Sequence, residues 1–417
     1  MSLTHSKHSS VFRVLGALGL AVVTALIAAC GGGGGGSGGG GSGGTPPAAN
    51  QATVTVGSGV ENVANIPTVS VTICAPGTTV CQTVDNIQVD TESFGLRVAS
   101  SAASQVLGSL PKEAVAGAQL AECTAFADGF TWGSIRTADV KISGETAAGL
   151  PIQIVGDMPQ GAVLTGNCSS GSLELTPAAL GANGILGVGV APNDCGGVCA
   201  AGSAGNSSYY ACPNGANCVQ TLVAVSQQVT NPVSKFANDN NGVILSMPGI
   251  SPSGQSTVTG TLTFGINTQT NNALPSTVTK LTTNAFGDVN ATFNGGPITA
   301  FFDSGSNAYF FTDPTLPNCT GNASAFYCPA GTVTRNVSVA SYNANTTGAP
   351  GGMTLTMSIG NASQLLQNGN FALNNLAGSL GNGATFVDLG MPFFYGHTVY
   401  YGMDQSGSGG SNPFVAF

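Results

Sequence analysis

NIQVDTESFGLRV, residues 86–98, and TAFFDSGSNAYFF, residues 299–311, are apolar stretches, each broken at its centre by an aspartate, a hydroxyl residue, one further residue and a serine. Both read as strand, turn, strand, because β-branched and aromatic residues flank a short polar break. Short Val, Ile and Thr runs punctuated by Asn-Gly, Gly-Gly and Pro-Gly recur along the chain, which predicts an all-β protein with many tight turns.

Charge excludes several classes of function. The 417 residues hold 9 Lys plus Arg against 18 Asp plus Glu, a net charge of -9, so no basic surface is available to neutralise phosphates, and nucleic acid is excluded as a partner. Of three histidines, His5 and His8 lie in the N-terminal leader, and His397 sits in the apolar context FFYGHTVYY, where it reads as a packed residue. Multi-histidine metal sites are thereby removed. Neither a phosphate-binding Gly-Lys-Ser/Thr loop nor a dinucleotide fingerprint occurs, and DNNG at 239–242 lacks the later acids of a calcium loop. No metal and no cofactor is expected.

The first 29 residues read as an export signal, with Lys7 and Arg13 before the apolar run Val14–Ala29. Ile27-Ala28-Ala29-Cys30 resembles a bacterial lipoprotein cleavage site, which implies acylation of Cys30 and attachment to a membrane of the cell envelope. Residues 30–56 are then the lipidated cysteine and a flexible tether, whose Gly31–Gly44 run has a root-mean-square reach of roughly 20 Å. With Cys30 acylated, ten of the eleven cysteines remain. Spacing points to Cys74–Cys81, Cys195–Cys199, Cys212–Cys218 and Cys319–Cys328, with Cys123 and Cys168 left for a longer bridge, although spacing alone does not fix the connectivity. Pro, Gly and Ser cluster in MPGISPSGQS at 247–256, dividing a first lobe of residues 57–250 from a second of residues 251–417. The alternation in SNPFVAF at the C-terminus reads as a packed last strand.

Carboxylates remain as the candidate chemistry, and Asp90 and Asp303 share a setting that the other acids lack. With one in each lobe, they read as two loops meeting across a cleft. Two carboxyls held side by side do not both ionise easily, so one keeps a proton and acts as acid while the other acts as base on water.

On these residues the chain resembles the bilobal, pepsin-like aspartic peptidases, and beneath them an uncharacterised family of exported bacterial proteins with the same paired motifs. The match runs from about residue 57 to the C-terminus. It implies two β-barrel-like lobes with a cleft between them and assigns catalysis to Asp90 and Asp303. Thr91 and Ser304 fall at hydroxyls bracing the two loops, Ser93 and Ser306 at those bonding the outer carboxylate oxygens, and Gly305 at the motif glycine. FADGFTWGSIRTADVKISG, 126–144, is similar to the flap hairpin, with Phe126 at the usual tyrosine and Asp128-Gly129 at the substrate contact. GANGILGVG at 181–189, GTLTFGINT at 260–268 and FVDLGMPFFYGHTVYYGMD at 386–404 follow in the family's order.

The first motif departs from the pattern. Glu92 stands where the family has glycine, which places a third carboxylate at the dyad and crowds the cleft floor. Arg97 stands where an aromatic residue usually partners the flap tyrosine, and a pairing of Arg97 with Glu92 relieves the charge. Two functions follow as expectations: a cell-envelope aspartic endopeptidase, monomeric and acting on peptides or proteins, or a pseudo-peptidase that binds a peptide, glycan or protein partner in the same cleft. Glycoside hydrolysis by two carboxylates fits the chemistry but not the motif order.

Overall fold

The computed structural model describes residues 47–159, 171–349, 352–381 and 383–417. The signal segment, Cys30, the glycine run and Cys168 lie outside the described residues.

Two three-strand units carry the architecture. In the first, β1 (Cys81–Asp90) runs into the turn Thr91–Ser93 and returns as β2 (Phe94–Ala99). A later strand, β3 (Gly184–Val188), inserts between them, parallel to β1 with Gly187 opposite Asp90 and antiparallel to β2. The second half repeats this connectivity. Strand β4 (Gly296–Asp303) ends in the turn 304–308 and β5 (Tyr309–Phe311) follows. Strand β6 (Phe386–Gly390) then inserts, parallel to β4 with Gly390 opposite Asp303 and antiparallel to β5. In each unit the aspartate is the last residue of a buried strand and faces a glycine of the inserted partner. Both sets of strands are buried on two faces, which explains their continuous apolar sequences.

The long strands Ala118–Ala125, Gly129–Ile142 and Glu145–Val155 complete the first lobe, while Val289–Phe293, Val333–Ala340 and Met353–Ile359 extend the seven-stranded sheet of the second. Between the lobes lies an antiparallel ribbon drawn from distant parts of the chain. Gln51–Val56 pairs with Val258–Phe264, which pairs with Gly242–Ser246, then Thr398–Gly402, Phe414–Ala416 and Lys280–Thr282. The fold is thus all-β and two-lobed. One boundary needs correction: Gln51–Val56, placed in the flexible tether, is a paired strand. Its QATVTV alternation has a period of two and puts Val54 and Val56 in the core.

Four disulfides close short loops at Cys74–Cys81, Cys195–Cys199, Cys212–Cys218 and Cys319–Cys328, and Cys123 is also disulfide-bonded. Such bridges persist in oxidising compartments. Among the described residues no helix is long and apolar enough to cross a membrane.

Candidate active site

The two aspartate turns meet between the lobes and hold each other. Thr91 Oγ1 donates to the carbonyl of Phe302 at 2.9 Å and accepts from the backbone N–H of Ser304 at 2.9 Å, while the Ser304 hydroxyl donates to the carbonyl of Val89 at 2.8 Å. These bonds are fully buried, where satisfied polar groups fix geometry and unsatisfied ones are expensive. Gln88 adds a further tie by donating to the carbonyl of Gly305 at 2.7 Å, and Tyr401, from the ribbon, donates to the carbonyl of Phe302 at 2.7 Å.

The carboxyl groups of Asp90 and Asp303 are brought together by this bracing. A Cβ built on Gly305 lies 2.9 Å from Asp90 Oδ1 and 2.9 Å from Asp303 Oδ1, so the two oxygens are within twice that distance of each other. Only a residue without a side chain leaves them that space. Asp90 accepts three hydrogen bonds, from the N–H groups of Glu92 (2.9 Å) and Ser93 (3.1 Å) on Oδ1 and from the Ser93 hydroxyl (2.6 Å) on Oδ2. Asp303 accepts from the Gly305 N–H at 2.7 Å and the Ser306 hydroxyl at 2.8 Å. Burial, then the nearby Asp90, Asp388 and Glu92, hold the Asp303 carboxyl well above the usual range, against the opposing Ser306 hydrogen bond.

Glu92 crosses toward the second lobe. A Cβ on Gly287 would lie 2.6 Å from Glu92 Oε1, and Gly287, at φ +106°, has the backbone freedom and the missing side chain that admit the carboxyl. Burial first, then Asp288, Asp90 and Asp388, hold the Glu92 carboxyl well above the usual range, which favours its neutral form. Its Oε1 is buried without a hydrogen-bond partner among the described residues.

Arg97 does not pair with Glu92. It is buried and bonds Glu122 at 2.9 Å, Asp194 at 3.1 Å and the carbonyl of Phe94 at 3.0 Å. The reason is strand direction: Glu122 lies on the neighbouring strand Ala118–Ala125, and the long Arg97 side chain reaches it from β2, whereas Glu92 turns into the lobe interface. Tyr209 donates to Asp194 at 2.8 Å. Burial raises the Glu122 carboxyl, but Arg97 and the hydrogen bonds from Asp194, Thr124 and Arg97 together outweigh it and the net position is lowered, while burial and Glu122 push Asp194 well up.

The hairpin with Phe126 at its turn forms between Ala118–Ala125 and Gly129–Ile142. Phe126 packs on Ala99, Val155, Leu180 and Ile185 in the first lobe. The tip is tied to its own chain, since the Asp128 carbonyl accepts from the Ser172 N–H and Gly129 pairs with Ser172. Asp90 and Asp303 have no exposed surface. A cavity of about 340 Å³ is lined by Thr312, Asp313, Pro314, Leu316, Asn318, Ser379 and Gly381, none of which belongs to either aspartate turn.

Gln88 and Asp388 join the site without belonging to either aspartate motif. Each was visible as a polar residue inside an otherwise apolar strand, NIQVD and FVDLG, which is where a buried polar group has to have a specific partner. Among the described residues no cluster of His, Cys, Asp and Glu has the arrangement of a metal site.

The repeated strand insertion and the braced aspartate turns define the class: two-lobed all-β proteins of the pepsin-like fold. The chain belongs to the DUF3443 family, proteins of unknown function, whose pattern matches residues 46–417. A solved aspartic proteinase from Irpex lacteus is similar over 88% of this chain and 96% of that one, at 15% identity and a TM-score of 0.48. No curated protein matches the sequence.

Proposed function

We infer that the chain is an aspartic-type endopeptidase of the cell envelope, exported and lipid-anchored through Cys30, with Asp90 and Asp303 as its catalytic pair. The observation that carries this reading is the reciprocal bracing that brings two buried carboxyls against Gly305. Asp90, with three donors, suits the ionised base; Asp303, held high, suits the acid. A water between them loses a proton to Asp90 as its oxygen bonds to the peptide carbon, and Asp303 gives its proton to the carbonyl oxygen. Proton transfer from Asp90 to the nitrogen then releases the amine as the carbon–nitrogen bond breaks, and one hydroxyl of the diol returns its proton to Asp303 as the carboxylic acid forms. Substrate entry requires the lobes to part and Glu92 to leave Gly287.

Glu92 favours a second reading, a protein that keeps the cleft to bind a peptide, glycan or protein partner without turnover. The two are separated by incubating the oxidised protein with denatured protein substrate in mild acid, with and without a tetrahedral transition-state analogue. Cleavage lost at least 1,000-fold in Asp303→Asn, by order of magnitude, and blocked by the analogue supports the peptidase. An inert parent beside a cleaving Glu92→Gly variant supports the second reading, and inertness of both refutes hydrolysis by this pair.

A further inference from the structure

Ser306 has one hydroxyl hydrogen and two carboxyl neighbours. Its Oγ lies 2.8 Å from Asp303 Oδ2 and 2.5 Å from Asp388 Oδ2, and all three side chains are buried. A serine hydroxyl donates once, and an ionised carboxylate only accepts. With both carboxyls ionised, one of these short contacts would press two acceptors together, so the geometry requires a proton on one of the acids. The other oxygen of Asp388, Oδ1, is buried with no hydrogen-bond partner among the described residues, a cost that a neutral carboxyl bears far better than a charged one. The first lobe has no counterpart. In the matching inserted strand the residue two before the glycine that faces the aspartate is Ile185, opposite Gln88, where β6 has Asp388 opposite Phe301.

We propose that Asp388 is a positioning residue of the dyad, a buried acid that exchanges one proton with Asp303 through the Ser306 hydroxyl. This rests on the peptidase reading for its use, though not for its existence. In one form the Asp388 O–H donates to Ser306 Oγ, whose own hydrogen points at an ionised Asp303. In the other, Asp303 donates to Ser306 Oγ and the serine hydrogen points at an ionised Asp388. Each form holds one proton on the two acids and one on the serine, so transfer along the bridge breaks and makes one O–H bond at each end and needs no other reactant. The proton held on Asp388 can thus be delivered to Asp303, from inside the protein, for transfer to a substrate carbonyl, and it is restored when the product's proton returns to Asp303. The charged and titratable groups facing Asp388 are Asp90 from the end of β1, Glu92 from the first turn and Asp303 from the end of β4. All are acids, so ionisation of any neighbour favours retention of the proton on Asp388.

The test uses the full-length oxidised protein with isotopically labelled aspartate carboxyls, followed by carbon NMR as a function of pH, alongside the pH profile of hydrolysis. Asp388→Asn keeps a donor toward Ser306 but takes up no proton from it. The expected result is one protonated aspartate fewer near neutral pH and an alkaline limb of activity moved down by about one pH unit. A merely structural Asp388 lowers the rate and leaves the profile and the proton count unchanged, which overturns the proposal. In Ser306→Ala, the Asp303 and Asp388 signals, expected to titrate together in the parent chain, should titrate separately; separate titration in the parent already refutes the bridge. If no variant hydrolyses peptide, the peptidase reading fails and the proton count still decides the role of Asp388.

Discussion

Asp90 and Asp303 end strands of the same connectivity, each facing a glycine of an inserted strand, yet their surroundings carry charge differently. The first turn has Glu92 where the second has Gly305. Behind the first, seven residues past the aspartate, stands Arg97 with two buried acids; behind the second, at the same offset, stands Phe310 in an apolar cluster. The second lobe has Asp388 on its serine, where the first offers Ile185 at the matching strand position. The backbone device that assembles two carboxyls is therefore separable from the side chains that set their protons. Backbone bracing depends on short-range hydrogen bonds with fixed geometry, and it tolerates large changes in the electrostatics beside it.

The comparison breaks most visibly at the seventh position. Arg97→Met leaves Glu122 and Asp194 buried without their cation, and a loss of about 3–5 kcal/mol is expected in chemical denaturation. Phe310→Met, its counterpart, exchanges one apolar side chain for another and should cost no more than about 1.5 kcal/mol. Equal losses would show that the network is not what distinguishes the lobes.

The brace offers a finer test. Thr91→Val removes a donor and an acceptor and orphans the Ser304 N–H, while the Phe302 carbonyl keeps Tyr401, for about 2–3 kcal/mol. Ser304→Ala removes one donated bond, for about 1–2 kcal/mol. The ranking, read from denaturant midpoints, measures how far the two turns depart from equivalence.

The smallest effect is a slope. Glu92, Asp303 and Asp388 are all raised in the folded protein, so it binds protons that the unfolded chain releases. Their stabilisation is complete in acid, below the ordinary carboxylate range, and is lost as pH rises toward the raised values, by at most about 1.4 kcal/mol per pH unit for each proton. Unfolding midpoints at about pH 5 and about pH 8 should therefore fall with pH, and Glu92→Gln should flatten the fall by one proton's share. A flat dependence in the parent chain would show that these acids are not held neutral.

Much of this was legible without coordinates. The strand, turn, strand reading of residues 86–98 and 299–311 follows from alternating chemistry, and the four short disulfides follow from cysteine spacing. The partners of Arg97 were not legible, because Glu122 and Asp194 are 25 and 97 residues away, one on another strand and one in a loop. Nor was the end of the tether, where a short alternating run becomes a strand only because Val258–Phe264 offers it an edge.

By itself the sequence determined an all-β chain with two acids in matching turns, since turn chemistry and apolar patterning act over a few residues. Only the tertiary structure decided that Glu92 enters the space at Gly287, that Asp388 reaches Ser306 from 82 residues away, and that the pair of aspartates is closed off from solvent. Those outcomes depend on strand register between distant segments, and a one-residue change of register would turn each of these side chains to the opposite face.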